Sequence, residues 1–127
     1  LKPSKAVLED IRFGFEMAKK IAGADIGQTV IIKKKVVLAV EAIEGTDHAI
    51  RRGAELGRGR IVVVKVEKPE QDTRFDVPAV GLTTLEELCA AKAEALAFEA
   101  YKTLFIGMDI FVEKANRAGI VLYGIQA

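Results

Sequence analysis

The sequence is poor in the residue types that build several common kinds of site. It has one cysteine, one histidine and no tryptophan among 127 residues. A single cysteine cannot form an intramolecular disulfide, and one histidine without cysteine partners cannot form an ordinary zinc site. Ser4 is the only serine and no GxSxG motif surrounds it, so nucleophilic serine catalysis is not expected. Cys89 lies among apolar residues of a helix-like stretch, and we expect it to pack in the core rather than to react.

Charge, apolar run length and glycine spacing exclude further classes. Nineteen basic residues against eighteen acidic ones leave a net charge of +1, so no strong field favours nucleic acid or an anionic membrane surface. The longest apolar runs, such as 61–64, are far shorter than the roughly 20 residues of a membrane-spanning helix, and no signal peptide is visible. Neither GxGxxG nor GxxxxGK[ST] is present. We expect a cytoplasmic protein without a Rossmann or P-loop nucleotide site.

The length and the apolar pattern predict one α/β domain. Half of the 127 residues are hydrophobic, which is enough for a single compact core. Residues 4–22 carry apolar side chains at helical spacing and predict an N-terminal amphipathic helix. Residues 29–32 and 36–40 are apolar and β-branched, and they predict a β-hairpin across a lysine turn that lacks the usual glycine or asparagine.

Helices and strands alternate through the second half. Thr46 is a candidate N-cap for a helix ending near residue 56. Thr83 or Thr84, followed three residues later by glutamate, predicts a capping box for another helix. Further strands are predicted over 60–66, 96–99, 103–106 and 120–123, and a last helix over 109–118. This order predicts a mixed β-sheet flanked by helices, within a single domain that covers residues 1–127.

Three polar clusters lie at the ends of predicted elements, over residues 25–29, 41–47 and 71–76. In the second cluster a glycine and a threonine precede a helix, whose free backbone N–H groups can bind a phosphate oxygen. Glu44 and Asp47 suit a phosphate that arrives with a divalent cation. The alternative is that Thr46 and Asp47 only cap the helix. His48, which follows in the first turn, is expected to be an exposed helix residue, with contact to the substrate as the alternative.

The third cluster lies on a segment with neither helical nor strand periodicity, which Pro78 helps to fix. Asp72 and Asp76 could bind Mg²⁺ or orient a water molecule, and Arg74 could bind phosphate oxygens in a bidentate manner. The alternative is a solvated loop with an internal Asp–Arg pair. We expect the stretch from Gln71 to Gly81 to be an ordered functional loop.

At these clusters the sequence resembles the C-terminal domain of the LpxI-type UDP-2,3-diacylglucosamine pyrophosphatases of lipid A biosynthesis. The matching strings are Asp25-Ile-Gly-Gln-Thr-Val30, Ala39-Val-Glu-Ala-Ile-Glu-Gly-Thr-Asp47 with Arg51, and the Lys65, Lys68-Pro69, Gln71-Asp72, Arg74-Phe75-Asp76, Pro78 and Val80-Gly81 series. They occur in the family order along nearly the whole chain. The chain departs from the family pattern at Val77, where leucine is usual, and at the lysine turn, where an Asp-Gly pair is usual.

The resemblance implies a Mg²⁺-dependent hydrolase. Water would attack the α-phosphorus of UDP-2,3-diacylglucosamine and give UMP and 2,3-diacylglucosamine 1-phosphate. The family also carries an N-terminal domain, absent from this chain, and the substrate lies between the two domains. The expected partners are therefore that domain and a nucleotide-linked glycolipid, with no nucleic acid. Peripheral contact with the inner membrane and a homo-oligomer remain open.

The resemblance also assigns roles to individual residues. Asp76 is expected to be catalytic, as a metal ligand or a water-orienting base, with support from Asp72. Asp47 is the second expected metal ligand. The expected substrate contacts are Gln28, Thr29, Glu44, Gly45, Thr46, Asp47, Arg51, Gln71 and Arg74. The alternative is a non-catalytic domain that binds a nucleotide-sugar or a partner without turnover.

Overall fold

The computed structural model describes residues 2–67, 79–100, 104, 105 and 107–126. Within these ranges the helices are α1 (Lys5–Gly23), α2 (Thr46–Gly57), α3 (Leu82–Ala90) and α4 (Met108–Arg117). The strands are β1 (Thr29–Lys33), β2 (Val36–Val40), β3 (Val62–Lys65), β4 (Ala79–Val80), β5 (Ala95–Glu99), β6 (Leu104–Phe105) and β7 (Val121–Ile125). None of these helices is both long enough and apolar enough to cross a membrane.

Five strands form a mixed sheet in the order β2-β1-β3-β5-β7. Strand β1 runs antiparallel to both β2 and β3, whereas β3, β5 and β7 are parallel. Strands β4 and β6 form a separate parallel pair. The predicted α/β domain with a mixed sheet, an N-terminal helix and a β-hairpin is therefore confirmed.

Both faces of the central strands are buried. On one face, side chains such as Val30, Ile32 and Val64 pack in a cluster with the apolar side of α1. On the other face, Ile31 and Val63 pack in a second cluster beneath α2, α3 and α4. Alternate residues of a strand point to opposite faces, so the near-continuous apolar runs predicted from the sequence are what a doubly covered sheet requires.

Two helices contact the sheet where a glycine replaces a side chain. A Cβ atom added at Gly53 of α2 would lie 2.4 Å from the Ile31 Cγ2 atom of β1. A Cβ atom added at Gly14 of α1 would lie 2.6 Å from the Val64 Cγ2 atom of β3. Separations this short are repulsive, so each helix backbone can sit this close to its strand only without a side chain.

The turn between β1 and β2 uses side-chain support in place of glycine. Lys34 and Lys35 both have positive φ, of 50° and 61°, which is the pattern of a type I′ hairpin turn. The carboxylate of Asp10, on α1, accepts hydrogen bonds from both backbone N–H groups, at 3.1 Å and 2.9 Å. Contacts from the helix thus stabilise a conformation that lysine disfavours.

Three local predictions are wrong. Gly45, with φ of 90°, is the N-cap of α2, so Thr46 is the first helical residue and does not cap it. Gly81 is the N-cap of α3, and no side chain caps that helix. Cys89 is exposed rather than packed in the core, because Leu88 is the residue of that turn that points inward. The N-cap of α1 is Ser4, whose Oγ accepts from the Val7 N–H at 3.2 Å.

The contact at Gly53 predicts a packing defect on substitution. Alanine favours a helix interior over glycine by about 1 kcal/mol, but overpacking a buried contact costs about 1–3 kcal/mol. We expect Gly53→Ala to lower the free energy of unfolding, measured by urea denaturation. Gly23→Ala is the control, because no heavy atom lies within 4 Å of its added Cβ. Equal or greater stability of Gly53→Ala would contradict the close contact between α2 and β1.

Candidate functional site

A polar site lies at one end of the sheet, where apolar strand positions give way to Thr29 and Lys65. Thr29 begins β1 and Lys65 ends β3, and the two residues are opposite each other in the antiparallel register. Both are buried, with 0% and 9% of their surface exposed. The carboxyl ends of parallel strands are where α/β sheets usually bind ligands, and β3 reaches that edge at Lys65.

A pocket of about 350 Å³ opens at this edge. It is lined by the residues that begin α2, by the end of β3 and by the first turn of α3: Glu44, Gly45, Thr46, Asp47, His48, Lys65 and Thr84. The N-terminal turns of α2 and α3 therefore both contribute to its wall. Helix N-termini carry partial positive charge and unsatisfied N–H groups, so this wall favours an anion.

The start of α2 is tied to the start of β1 by two hydroxyl groups. Thr29 Oγ1 and Thr46 Oγ1 are 3.1 Å apart and share a hydrogen bond. Nearby, the backbone at Gly27 lies directly against the backbone at Glu41. A Cβ atom added at Gly27 would lie 1.9 Å from the Glu41 carbonyl oxygen, which is too close for any side chain. The glycine of the 25–30 string therefore serves a close backbone approach.

Helices α2 and α3 are joined by two polar contacts. Thr84 Oγ1 donates to Asp47 Oδ1 at 2.8 Å. One helical turn further along, Arg51 Nε donates to Glu87 Oε2 at 2.7 Å. The hydrogen bond from Arg51 lowers the pKa of Glu87, and the same contact raises the pKa of Arg51. These two contacts hold the N-terminal turns of the helices side by side at the pocket.

Lys65 is the buried cation of the pocket. Burial lowers the pKa of its ammonium group, because the charged form loses water. The nearby carboxylates of Glu41 and Asp47 act in the opposite direction and favour the charged form. The pocket thus contains a basic side chain, Lys65, and an acidic one, Asp47, at the N-terminal ends of α2 and α3.

Glu44 lines the same pocket, and its carboxylate accepts hydrogen bonds from neighbouring groups of the protein. One carboxylate oxygen accepts from the Ala42 N–H at 2.6 Å, and the other accepts from Arg52 at 2.5 Å. The Ala42 hydrogen bond is the main cause that lowers the pKa of Glu44, and Arg52 adds to it. This carboxylate is held on the wall as an anion.

The structure brings together part of the predicted set. Glu44, Gly45, Thr46 and Asp47 line one pocket, and His48 is exposed beside them as expected. Thr29 reaches the group through Thr46, the Gln28 N–H donates to Glu41 Oε1 at 3.0 Å, and Arg51 pairs with Glu87. Gln71, Asp72, Arg74 and Asp76 lie outside the described residues. The roles assigned to all these residues remain predictions.

Three residues that line the pocket are not among the site residues expected from the sequence: His48, Lys65 and Thr84. Lys65 lies within the predicted strand 60–66, and a lysine that follows four buried apolar residues, 61–64, is itself a signal of a special position. The sequence predicts a capping box at Thr83 or Thr84, but the Thr84 hydroxyl contacts Asp47, which lies 37 positions earlier. No sequence spacing indicates such a long-range contact.

The oxygen donors of the pocket are compatible with Mg²⁺. Mg²⁺ is usually held by one or two carboxylates together with substrate phosphates and water. Within residues 2–67, 79–100, 104, 105 and 107–126, no three histidine, cysteine, aspartate or glutamate side chains come together as a metal-binding group. Asp47 can supply one such carboxylate, and Mg²⁺ remains a prediction from the sequence.

The chain is similar to a known family in sequence and to a solved structure in fold. The profile of the LpxI C-terminal domain matches residues 1–123. The UDP-2,3-diacylglucosamine pyrophosphatase LpxI of Caulobacter vibrioides is 33% identical over 134 aligned residues, which span 99% of this chain and 48% of that protein. The chain therefore spans about half the length of this curated relative. A solved structure of Acinetobacter baumannii RibD superposes with a TM-score of 0.53 at 14% identity, over 91% of this chain and 35% of that one, which is a likeness of fold alone.

The lowered pKa of Lys65 predicts a specific pH dependence of stability. Between this pKa and the ordinary value of 10.5, the unfolded chain binds more protons than the folded one, so the stability contributed by this group rises with pH. We expect wild type to gain stability relative to Lys65→Met as pH rises through that window. Urea denaturation of both proteins at several pH values from about 8 to 10.5 tests this prediction. Parallel stability curves would show that Lys65 titrates normally.

Proposed function

Because the chain belongs to the LpxI C-terminal domain family, we propose that it forms part of a hydrolase that cleaves the pyrophosphate bond of UDP-2,3-diacylglucosamine. The products are UMP and 2,3-diacylglucosamine 1-phosphate, and the reaction belongs to lipid A biosynthesis. The observation that carries the proposal is one pocket in which Lys65, Asp47 and Thr46 meet at the N-termini of two helices. We further propose that the protein is cytoplasmic and contacts the inner membrane peripherally to reach its acylated substrate.

The pocket is suited to a pyrophosphate group. Backbone N–H groups at the start of α2 can donate to phosphate oxygens, and Gly45 leaves their approach open because it has no side chain. The Lys65 ammonium group supplies a positive charge that burial shields from water, so its attraction for a phosphate is stronger than at an exposed position. Thr46 adds a hydroxyl group to the same wall. These groups bind charge that is present in the substrate and that grows during cleavage.

The acidic residues supply the remaining parts of the proposed chemistry. Mg²⁺, held by Asp47 and Asp76 with phosphate oxygens of the substrate, would neutralise the charge of the pyrophosphate. Asp76, supported by Asp72, orients the attacking water and accepts its proton. The water oxygen bonds to the α-phosphorus as the bond from that phosphorus to the bridging oxygen breaks. UMP keeps the water oxygen, and the bridging oxygen leaves with the sugar 1-phosphate.

The remaining residues are proposed to bind and orient the substrate. Gln28 and Thr29 hold the start of β1 against the pocket through Glu41 and Thr46. Arg51 lies at the outer side of α2 with its side chain about half exposed. Gln71 and Arg74 are proposed to contact the nucleotide-sugar as well. The relative from Caulobacter vibrioides is about twice as long as this chain, and we propose that an N-terminal domain completes the site.

Loss of the proposed catalytic carboxylate tests the function directly. UMP release is measured on the full-length protein that contains this chain, with and without Mg²⁺. Asp76→Ala should lower kcat by about 10²–10⁴-fold, the usual contribution of a general base. Glu113→Ala is the control, because this glutamate is exposed and forms an ion pair with Arg117 one turn away on the same helix. A wild-type rate in Asp76→Ala would remove the catalytic assignment, and substrate binding without UMP release in the wild type would favour the non-catalytic alternative.

A second prediction concerns the buried cation. Lys65→Met removes the charge and keeps a chain of similar length, and we expect kcat/KM for UMP release to fall by about 10–100-fold, since hydrogen bonds to charged groups contribute about 1.5–3 kcal/mol. Lys33→Met is the matched control at the other end of β1. Its Nζ donates to the carbonyl groups of Gly57 and Gly59, so its loss should lower stability and leave kcat/KM unchanged. Equal kinetic effects of the two substitutions would argue that Lys65 is only structural.

A further inference from the structure

Thr84 lines the pocket and also contacts Asp47, another residue of its wall. It is the third residue of α3, and only 8% of its surface is exposed. Its hydroxyl donates to Asp47 Oδ1 at 2.8 Å, since an ionised carboxylate can only accept. Among the residues that the structure describes, no other group is seen to donate a hydrogen bond to this carboxylate. The side chain that we propose as a metal ligand is therefore oriented from the neighbouring helix.

Arg51 could compete with the pocket for the Asp47 carboxylate, but Glu87 of the neighbouring helix binds its guanidinium group. Arg51 follows Asp47 by four residues on α2, the spacing at which an acidic and a basic side chain pair along a helix, and the two charges do interact. Arg51 is instead bound by Glu87, which follows Thr84 by three residues on α3. One face of α3 thus binds Asp47 through Thr84 and Arg51 through Glu87. This arrangement keeps the Asp47 carboxylate available to the pocket.

We propose that Thr84 is a positioning residue: its hydroxyl fixes the Asp47 carboxylate so that the second oxygen is presented to a phosphate-bound divalent cation. This inference rests on the proposed function for the identity of the ligand. Loss of a hydrogen bond that orients a metal ligand typically lowers metal affinity or activity by about 10–100-fold, because the bond fixes the side-chain conformation before the metal binds.

The first test compares three variants of the full-length protein. Thr84→Val keeps the shape and removes the donor, and we expect it to lower kcat/KM for UMP release by about 10–100-fold. Thr84→Ser retains the hydroxyl and should restore activity close to wild type. Thr83→Val is the matched control, since Thr83 is an exposed neighbour in the same helical turn. Thermal unfolding of each variant is measured, and Thr84→Ala replaces Thr84→Val if the valine variant does not fold.

Epistasis separates positioning from a structural role. In an Asp47→Ala background the hydroxyl has no carboxylate to orient, so adding Thr84→Val should cause no further loss of kcat/KM. A structural role would lower the activity of both backgrounds by the same factor. That additive result, or wild-type kinetics in a folded Thr84→Val protein, would overturn the proposal.

Direct binding provides a readout that does not need turnover. The affinity for Mn²⁺ in the presence of UMP is measured by electron paramagnetic resonance of the free ion. Thr84→Val should weaken this affinity by about 10–100-fold and Thr84→Ser should not. If wild type binds Mn²⁺ with UMP but releases no UMP from the substrate, the proposed function fails and the binding series still decides the role of Thr84. Unchanged Mn²⁺ affinity in Thr84→Val, or no binding by wild type, would overturn the positioning role.

Discussion

Direct contact between helix backbones and the central strands is the constraint on which the rest of this structure depends. Gly14 of α1 and Gly53 of α2 lie on opposite faces of the sheet, and both leave no room for a side chain against β1 and β3. A helix that is this close to a strand has little freedom to slide or rotate, because packed interiors contain few voids. The buried valine and isoleucine side chains of β1 and β3 then fill the space on either side of each glycine. The position of the first turn of α2 follows from this fit.

The polar pocket is a consequence of the same geometry. With α2 fixed on β1, Thr46 meets Thr29, and Asp47 lies above the end of β3 near Lys65. Thr84 and Glu87 then join helix α3 to α2 through hydrogen bonds to Asp47 and Arg51. No side chain caps the N-terminus of α3. Burial of the Lys65 ammonium group is unfavourable, and the carboxylates of Glu41 and Asp47 offset part of this cost. The charged residues of the pocket therefore lie next to the apolar core, at one edge of the sheet.

Sequence patterns predict the elements of this fold better than the contacts between them. The apolar period of residues 4–22 and the β-branched runs on either side of the lysine turn gave the first helix and the hairpin, because burial alone determines those patterns. The helix caps could not be predicted in the same way. Thr46 and Thr84 are of a residue type that often caps helices, but their hydroxyl groups contact Thr29 and Asp47 instead. Three-dimensional proximity outweighs local preference at such positions. The polar residues 41–47 at the start of a predicted helix indicated that cluster, whereas the contact of Thr84 with Asp47 needed the structure.

The turn at Lys34 and Lys35 has a consequence for the order in which this chain can fold. A two-residue hairpin is ordinarily the most local piece of a sheet, and glycine or asparagine lets it close on its own. Here both turn residues are lysines in the left-handed region, and the carboxylate that binds their N–H groups comes from Asp10 on α1. Left-handed backbone costs about 1–2 kcal/mol for each such residue, so the turn is favourable only after the helix has docked. We therefore expect the hairpin to be unstable in isolation and to form together with α1.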